Sequence, residues 1–162
     1  MTIKYLEPQH WEEIKRIYSA GIATGYATFE TQVPSWEEWN NNHLTHSRLI
    51  AEIDGKVAGW IALSKASPRT VYQGVAEISV YIDPEFQGLG IGLVLLQHAK
   101  EESEANGIWT LQASVFEINK ASIRLHEKAG FRKVGYRERI SQLHGQWHNI
   151  ILFEKRSKTV YP

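Results

Sequence analysis

Three side chains and one loop hold most of the chemistry available to this sequence. Glu77, Ser79 and Tyr81 alternate with Ala76, Ile78, Val80 and Ile82, the period of two expected of a strand, so the three polar groups project to one face. In a sheet covered on both sides, such a row needs partners or a cavity. If that face opens onto a cleft, Glu77 is a candidate general base, and partial burial would raise its pKa towards the working range. A structural glutamate paired with an arginine or a hydroxyl is the other reading, and a β-bulge would change the face Glu77 occupies. Just downstream lies Gln87-Gly88-Leu89-Gly90-Ile91-Gly92. A helix start carries unpaired N–H groups and the positive end of the macrodipole, and glycines let a ligand approach the backbone closely. Together they make a cradle for a phosphate or pyrophosphate, or else a tight strand-to-helix turn with no ligand. The spacing excludes a dinucleotide GxGxxG, which would need a third glycine at Leu93 or Leu95, and a Walker loop, which would need Lys followed by Ser or Thr.

Local signals position these groups. The strand stops at Asp83-Pro84, because proline has no N–H to donate. From Ile91 the period changes: Ile91, Val94, Leu95 and Ala99 share one helical face, and Asn106-Gly107 supplies a left-handed stop. Before this unit, Thr2 to Leu6 reads as a first strand. Glu7-Pro8 opens a helix with Trp11, Ile14, Ile17, Tyr18 and Ile22 on its apolar face, broken by Gly21 and Gly25. Pro34-Ser35 caps a second helix, Trp36 to about Thr45. Arg48–Ile53 and Lys56–Leu63 form a hairpin at Asp54-Gly55. Ser64 to Gly74 is a polar loop. Ile108–Phe116 is a buried strand, Asn119–Ala129 a short helix stopped by Gly130, and Arg132–Ser141 with His148–Glu154 a closing pair around Gly145. The order β-α-α-β-β-β-α-β-α-β-β predicts one domain over 1–162, an α/β (α+β) fold whose mixed sheet has helices on both faces. The tail from Lys155 reads as loose.

Other residues admit two readings each. The Gly25–Glu30 loop, with Phe29 and Glu30, either packs over the core or lines a pocket. Asn119 and Ser122 sit where a helix cap is needed. Arg69 is either a surface arginine or a cation holding a carboxylate by a two-pronged bond. His43 with His46, and His144 with His148, lack a third ligand, which favours structural roles and no metal.

Composition narrows the class. Lys plus Arg and Asp plus Glu are both 18 in 162 residues, which gives no electrostatic case for nucleic acid or an anionic membrane. The absence of cysteine removes disulfides, thiolate metal sites and a cysteine nucleophile. No apolar run reaches membrane length and the start lacks a signal-peptide core, so a cytoplasmic protein is expected. Six Trp and seven Tyr point towards an oligomer, for which a homodimer is the expectation.

The glycine loop, as Gln87-x-x-Gly90-x-Gly92, resembles the acetyl-CoA pyrophosphate loop of the GNAT N-acetyltransferases. The likeness continues in Asn119-x-x-Ser122-x-x-Leu125-His126-Glu127-Lys128-x-Gly130-Phe131, and covers about Ile3 to Phe153. Glu77-x-Ser79-Val80-Tyr81, Leu125-His126-Glu127, Tyr26 to Glu30 and His144-Gly145-x-Trp147-His148 look like the phosphinothricin and methionine-sulfoximine branch. The resemblance implies a GNAT fold, a mostly antiparallel sheet, and acetyl-CoA held by Val80, Tyr81, Ile82, Gln87 to Gly92, Asn119 and Ser122. It implies Glu77 as general base, with a backbone N–H near Val80 stabilising the oxyanion. Many GNAT members carry a thiolate-protonating tyrosine where this chain has His126, so His126 is a catalytic candidate or a satisfied semi-buried histidine. Phe29, Glu30, Arg69 and Tyr81 would contact a small amino-acid acceptor. An acetyltransferase for protein termini or polyamines, and a silent acyl-CoA-binding module, are the alternatives.

Overall fold

The computed structural model describes residues Met1–Pro162. Seven strands form one sheet in the order β1-β2-β3-β4-β5-β7-β6. They are β1 (Thr2–Tyr5), β2 (Leu49–Ile53), β3 (Lys56–Lys65), β4 (Val75–Ile82), β5 (Thr110–Phe116), β6 (Arg132–Leu143) and β7 (Gln146–Arg156), with helices α1 (Trp11–Ala23), α2 (Trp36–Asn42), α3 (Ile91–Ala105) and α4 (Lys120–Lys128). Every neighbouring pair is antiparallel except β4 with β5. The expected element order and mixed sheet are both present.

Two apolar layers sandwich the sheet. Ile61, Leu63, Ile78, Leu111, Ala113 and Phe153 meet Ile91, Leu95 and Ala99 of α3 and Ile123 of α4 on one face. On the other, Ile50, Trp60 and Ala62 meet Ile14 and Ile17 of α1 and Trp39 of α2. The period of each element thus finds the layer that its buried face requires.

Local expectations needed correction at five places. Gly21 does not break α1, which runs through it to Ala23. A Cβ there would lie 2.6 Å from Tyr81 Cδ1, so this glycine admits the Tyr81 ring against the helix. The α-helix itself starts at Trp11, after a separate 3-10 turn at Pro8–His10. The second helix ends at Asn42, not near Thr45; the carbonyls of Asn40, His43 and Leu44 turn to the buried Arg48 guanidinium instead of continuing the ladder. The last hairpin is longer than expected, and its register jumps from Arg137↔Ile150 to Ser141↔His148 across a bulge. Finally, the tail is tied down: Lys155 and Arg156 belong to β7, Ser157 is buried, and Arg156 donates to the carbonyls of Ser157, Val160 and Tyr161.

Candidate active site

The start of α3 is unlike the starts of α1 and α2. Those two carry Glu12 with Glu13, and Glu37 with Glu38, in their first turns, and Ser35 caps α2. α3 has no capping side chain and no acid in its first turn. Its free N–H groups and dipole are unanswered by the chain's own residues, the condition for binding an anion. Gly88 and Gly90 before it are left-handed (φ 79° and 77°), and an added Cβ at either would meet no atom within 4 Å. This open, glycine-lined helix start fits a pyrophosphate. Gly92 also lets α4 approach α3, because a Cβ there would lie 2.9 Å from Leu125 Cδ2.

Asp83 holds the loop from below. It is 1% exposed, accepts the Glu85 N–H at 2.9 Å and pairs with Arg16 of α1 at 2.6 Å. Burial works against its charge, but the Arg16 bond and the Glu85 N–H outweigh burial and hold its pKa below the usual carboxylate value.

Beside the loop, β4 and β5 part. Their pairing ends at Glu77↔Gln112, although β4 continues to Ile82 and β5 to Phe116. The Asp83 N–H donates to Ala58 and the Val75 carbonyl accepts from Ala66, so the odd-numbered backbone groups of β4 face β3. By alternation those of Ile78, Val80 and Ile82 face the gap. β3 and β4 pair without a bulge from Gly59↔Ile82 to Lys65↔Ala76, so Glu77, Ser79 and Tyr81 do share the expected face.

The gap and the loop belong to one cleft of about 1000 Å³. Phe29, Glu30, Glu77, Val80, Tyr81, Ile82, Gln87, Gly88, Gly90, Ile91, Gly92, Asn119, Ser122 and His126 all line it, bringing together most of the residues singled out in the sequence. Leu89 is 62% exposed and is absent from the lining. Arg69 is also outside, its guanidinium 5.6 Å over the Tyr72 ring, and no residue of the 64–74 loop lines the cleft.

Solvent reaches the Glu77 carboxyl through the cleft, yet the protein walls around it raise its pKa by desolvation, opposed by the positive charge of Arg137. Tyr81 stacks on Trp60 at 4.9 Å and meets Tyr18 edge-on at 4.9 Å; burial, then the nearby Tyr18, pushes its pKa up, so the phenol stays protonated. Asn119 Oδ1 accepts the Ser122 N–H at 3.1 Å, capping α4, while its Nδ2 donates to the Tyr26 carbonyl at 3.4 Å. Phe29 packs on Phe116 at 4.6 Å. The His126 Nδ1 lies 2.7 Å from the Ser122 carbonyl oxygen, which can only accept, so the neutral ring carries its proton on Nδ1. Nε2 is buried without a partner, and burial lowers the pKa. His126 is therefore a neutral ring with a lone pair at Nε2. His43 and His46 bond locally, to the Trp39 carbonyl and Ser47.

Sequence reasoning missed three cleft cations: Arg124 and Lys128 of α4, and Arg137 of β6. The first two are four apart on one face of a helix already assigned, a signal that was available. Arg137 had none, because the bulge that follows it is not written in the local pattern.

A fold with a splayed parallel pair beside an open glycine-lined helix start defines a class, and comparison names it. The family model described as Acetyltransferase (GNAT) family matches residues 11–131, and the chain belongs to that family. YwnH of Bacillus subtilis (strain 168), which carries a provisional phosphinothricin acetyltransferase name, is 35% identical over 156 residues, 93% of this chain and 95% of that one. The GNAT superfamily phosphinothricin acetyltransferase from Sinorhizobium meliloti, solved in complex with AcCoA, superposes with a TM-score of 0.86 at 27% identity, covering 99% of this chain and 95% of that one. The ribosomal-protein-alanine N-acetyltransferase from Brucella melitensis superposes with a TM-score of 0.90 at 26% identity, covering 97% and 100%. One fold thus serves proteins named for different acceptors.

Proposed function

We propose that this chain transfers acetyl from acetyl-CoA to the amine of a small amino acid or analogue of the phosphinothricin or methionine sulfoximine type. The observation that carries this reading is the uncapped, acid-free start of α3 opening into the same cleft as Glu77. The pyrophosphate would rest on the N–H groups that follow Gly88 and Gly90, and the thioester arm would lie in the gap between β4 and β5. Glu77 takes a proton from the acceptor ammonium, directly or through water, leaving a neutral amine to attack the acetyl carbonyl. The Val80 N–H donates to the carbonyl oxygen as negative charge develops there. The nitrogen gives its second proton to solvent as the C–S bond breaks, and the thiolate leaves to be protonated from solvent. With its proton on Nδ1, His126 holds the wall of the cleft and is not assigned that step.

Acetyl-CoA-dependent thiol release with a panel of amino acids, their decarboxylated amines and an N-terminal peptide tests this. Amine-dependent turnover of phosphinothricin, methionine sulfoximine or methionine sulfone is the expected result. The Brucella likeness favours a second reading, acetylation of protein N-termini, and turnover of the peptide alone would establish it instead. CoA binding with no turnover of any amine would leave a silent module. Val134, Tyr136 and Trp147 are exposed apolar side chains on β6 and β7, a surface suited to the expected second copy; a monomer in solution scattering would refute that assignment.

A further inference from the structure

Two side chains of opposite charge line the cleft without forming an ion pair. Glu77 and Arg137 both line it. The register puts them on one sheet face: Gln112 pairs with Glu77, Phe116 lies four residues further along β5, and Phe116 pairs with Ile150, which pairs with Arg137. The six ion pairs of the chain involve neither residue, so both heads are free for a third party.

The backbone around Arg137 is held firmly although its side chain is not. In the bulge after it, Arg139 is left-handed (φ 46°) and donates its N–H to Asn149 Oδ1 at 2.7 Å. Asn149 Nδ2 and the Tyr136 hydroxyl both donate to Glu117 Oε2, at 2.7 and 3.2 Å. Glu117 is thereby engaged with Asn149 and Tyr136, and no acid of the chain forms an ion pair with the Arg137 guanidinium.

An α-amino acid carries an ammonium and a carboxylate on the same carbon. Its complement is a carboxylate and a guanidinium facing one space, with the guanidinium's planar donors matched to the two carboxylate oxygens. We propose that Arg137 binds the α-carboxylate of the acceptor while Glu77 addresses its α-amine, so that the site selects free α-amino acids over amines that lack the carboxylate. The assignment rests on the acetyltransferase reading above, and it fills the role that the sequence suggested for Arg69. It also separates free amino acids from protein N-termini, whose first α-carboxyl is consumed in a peptide bond.

The test compares methionine sulfone with its α-amide and its decarboxylated amine, using wild type, Arg137→Ala and Arg137→Gln. Wild type should favour the free acid. Both variants should raise its KM roughly ten- to hundredfold, the worth of a charge-assisted pair, erase the preference over the amide, and leave the KM for acetyl-CoA within about twofold. An unchanged acid-to-amide ratio in the folded variants overturns the assignment. If wild type turns over no amine, the acetyltransferase reading fails separately, and calorimetric titration of methionine sulfone into the CoA-saturated protein decides the case. Binding lost in Arg137→Ala supports the carboxylate site; equal binding in the variant, or none in wild type, overturns it.

Discussion

Gly90 and Gly55 share a backbone conformation and differ in what lies beside them, which makes Gly90→Val a controlled experiment. Each has φ of +77° and open space where a Cβ would point. Gly55 sits in the turn between β2 and β3, while Gly90 lines the cleft. A left-handed L-residue costs about 1–2 kcal/mol, and a β-branched one resists it most. At Gly55 that cost falls on stability, so Gly55→Val should melt about 2–8 °C lower with CoA affinity unchanged. At Gly90 the loop can escape the strain by leaving its left-handed state when empty. Binding must then restore that state, which weakens CoA by about five- to thirtyfold before any clash with the new methyls. Calorimetry reads this directly, and melting with ligand gives a second measure. At a CoA concentration of 100 Kd the stabilisation is about 2.7 kcal/mol, and a thirtyfold loss of affinity reduces it to about 0.9 kcal/mol. A folded Gly90→Val protein that binds CoA as tightly as Gly55→Val would remove the cradle from the mechanism.

Three further outcomes follow from the site. Glu77→Gln should lower kcat by about 10²–10⁴-fold at neutral pH, with partial recovery at higher pH. Because its folded pKa is raised, ionised Glu77 opposes folding above that pKa, so the variant should melt no lower than wild type at neutral pH; a wild-type pH–rate profile would make Glu77 structural. Asp83→Ala should lose about 2–3 kcal/mol, with half-exposed Arg16 rehydrating to limit the damage, and should bind CoA more weakly as the Pro84–Phe86 turn loosens. A carboxylate with a lowered folded pKa stabilises above its unfolded pKa near 3.9 and ceases to do so as pH falls through the folded value, so chemical denaturation should show the mutant–wild-type gap closing in acid; a pH-independent gap contradicts the ion pair. His126→Asn, which can keep a donor towards the Ser122 carbonyl, should leave kcat within about threefold, since no general-acid contribution of 10²–10⁴ is being removed. A hundredfold fall in kcat with CoA binding intact would return His126 to the role of acid.

The sequence alone determined whatever depends on neighbours along the chain. The period of two in Ala76–Ile82, the helical period from Ile91 and the glycines between them made the central unit legible, because each signal acts within a few residues. Glu77 was legible for the same reason: β3 and β4 pair without a bulge, so alternation alone set its face. What required the tertiary structure depends on contacts between distant segments. Gly21 looks like a helix breaker until the Tyr81 ring occupies its missing side chain, and Gly92 looks like part of a cradle alone until Leu125 of α4 packs over it. The proton on the Nδ1 of His126 is set by a carbonyl and by burial, neither of which a residue type reveals. Arg69 precedes the active strand in the chain yet lies outside the cleft, whereas Arg137, sixty residues after Glu77 in the sequence, lines it. Sheet order places β6 at the edge beside β7, one strand beyond β5, and a bulge follows Arg137 there. Distance along the chain says little about distance across a sheet, and so the cation of the acceptor site was decided by the fold.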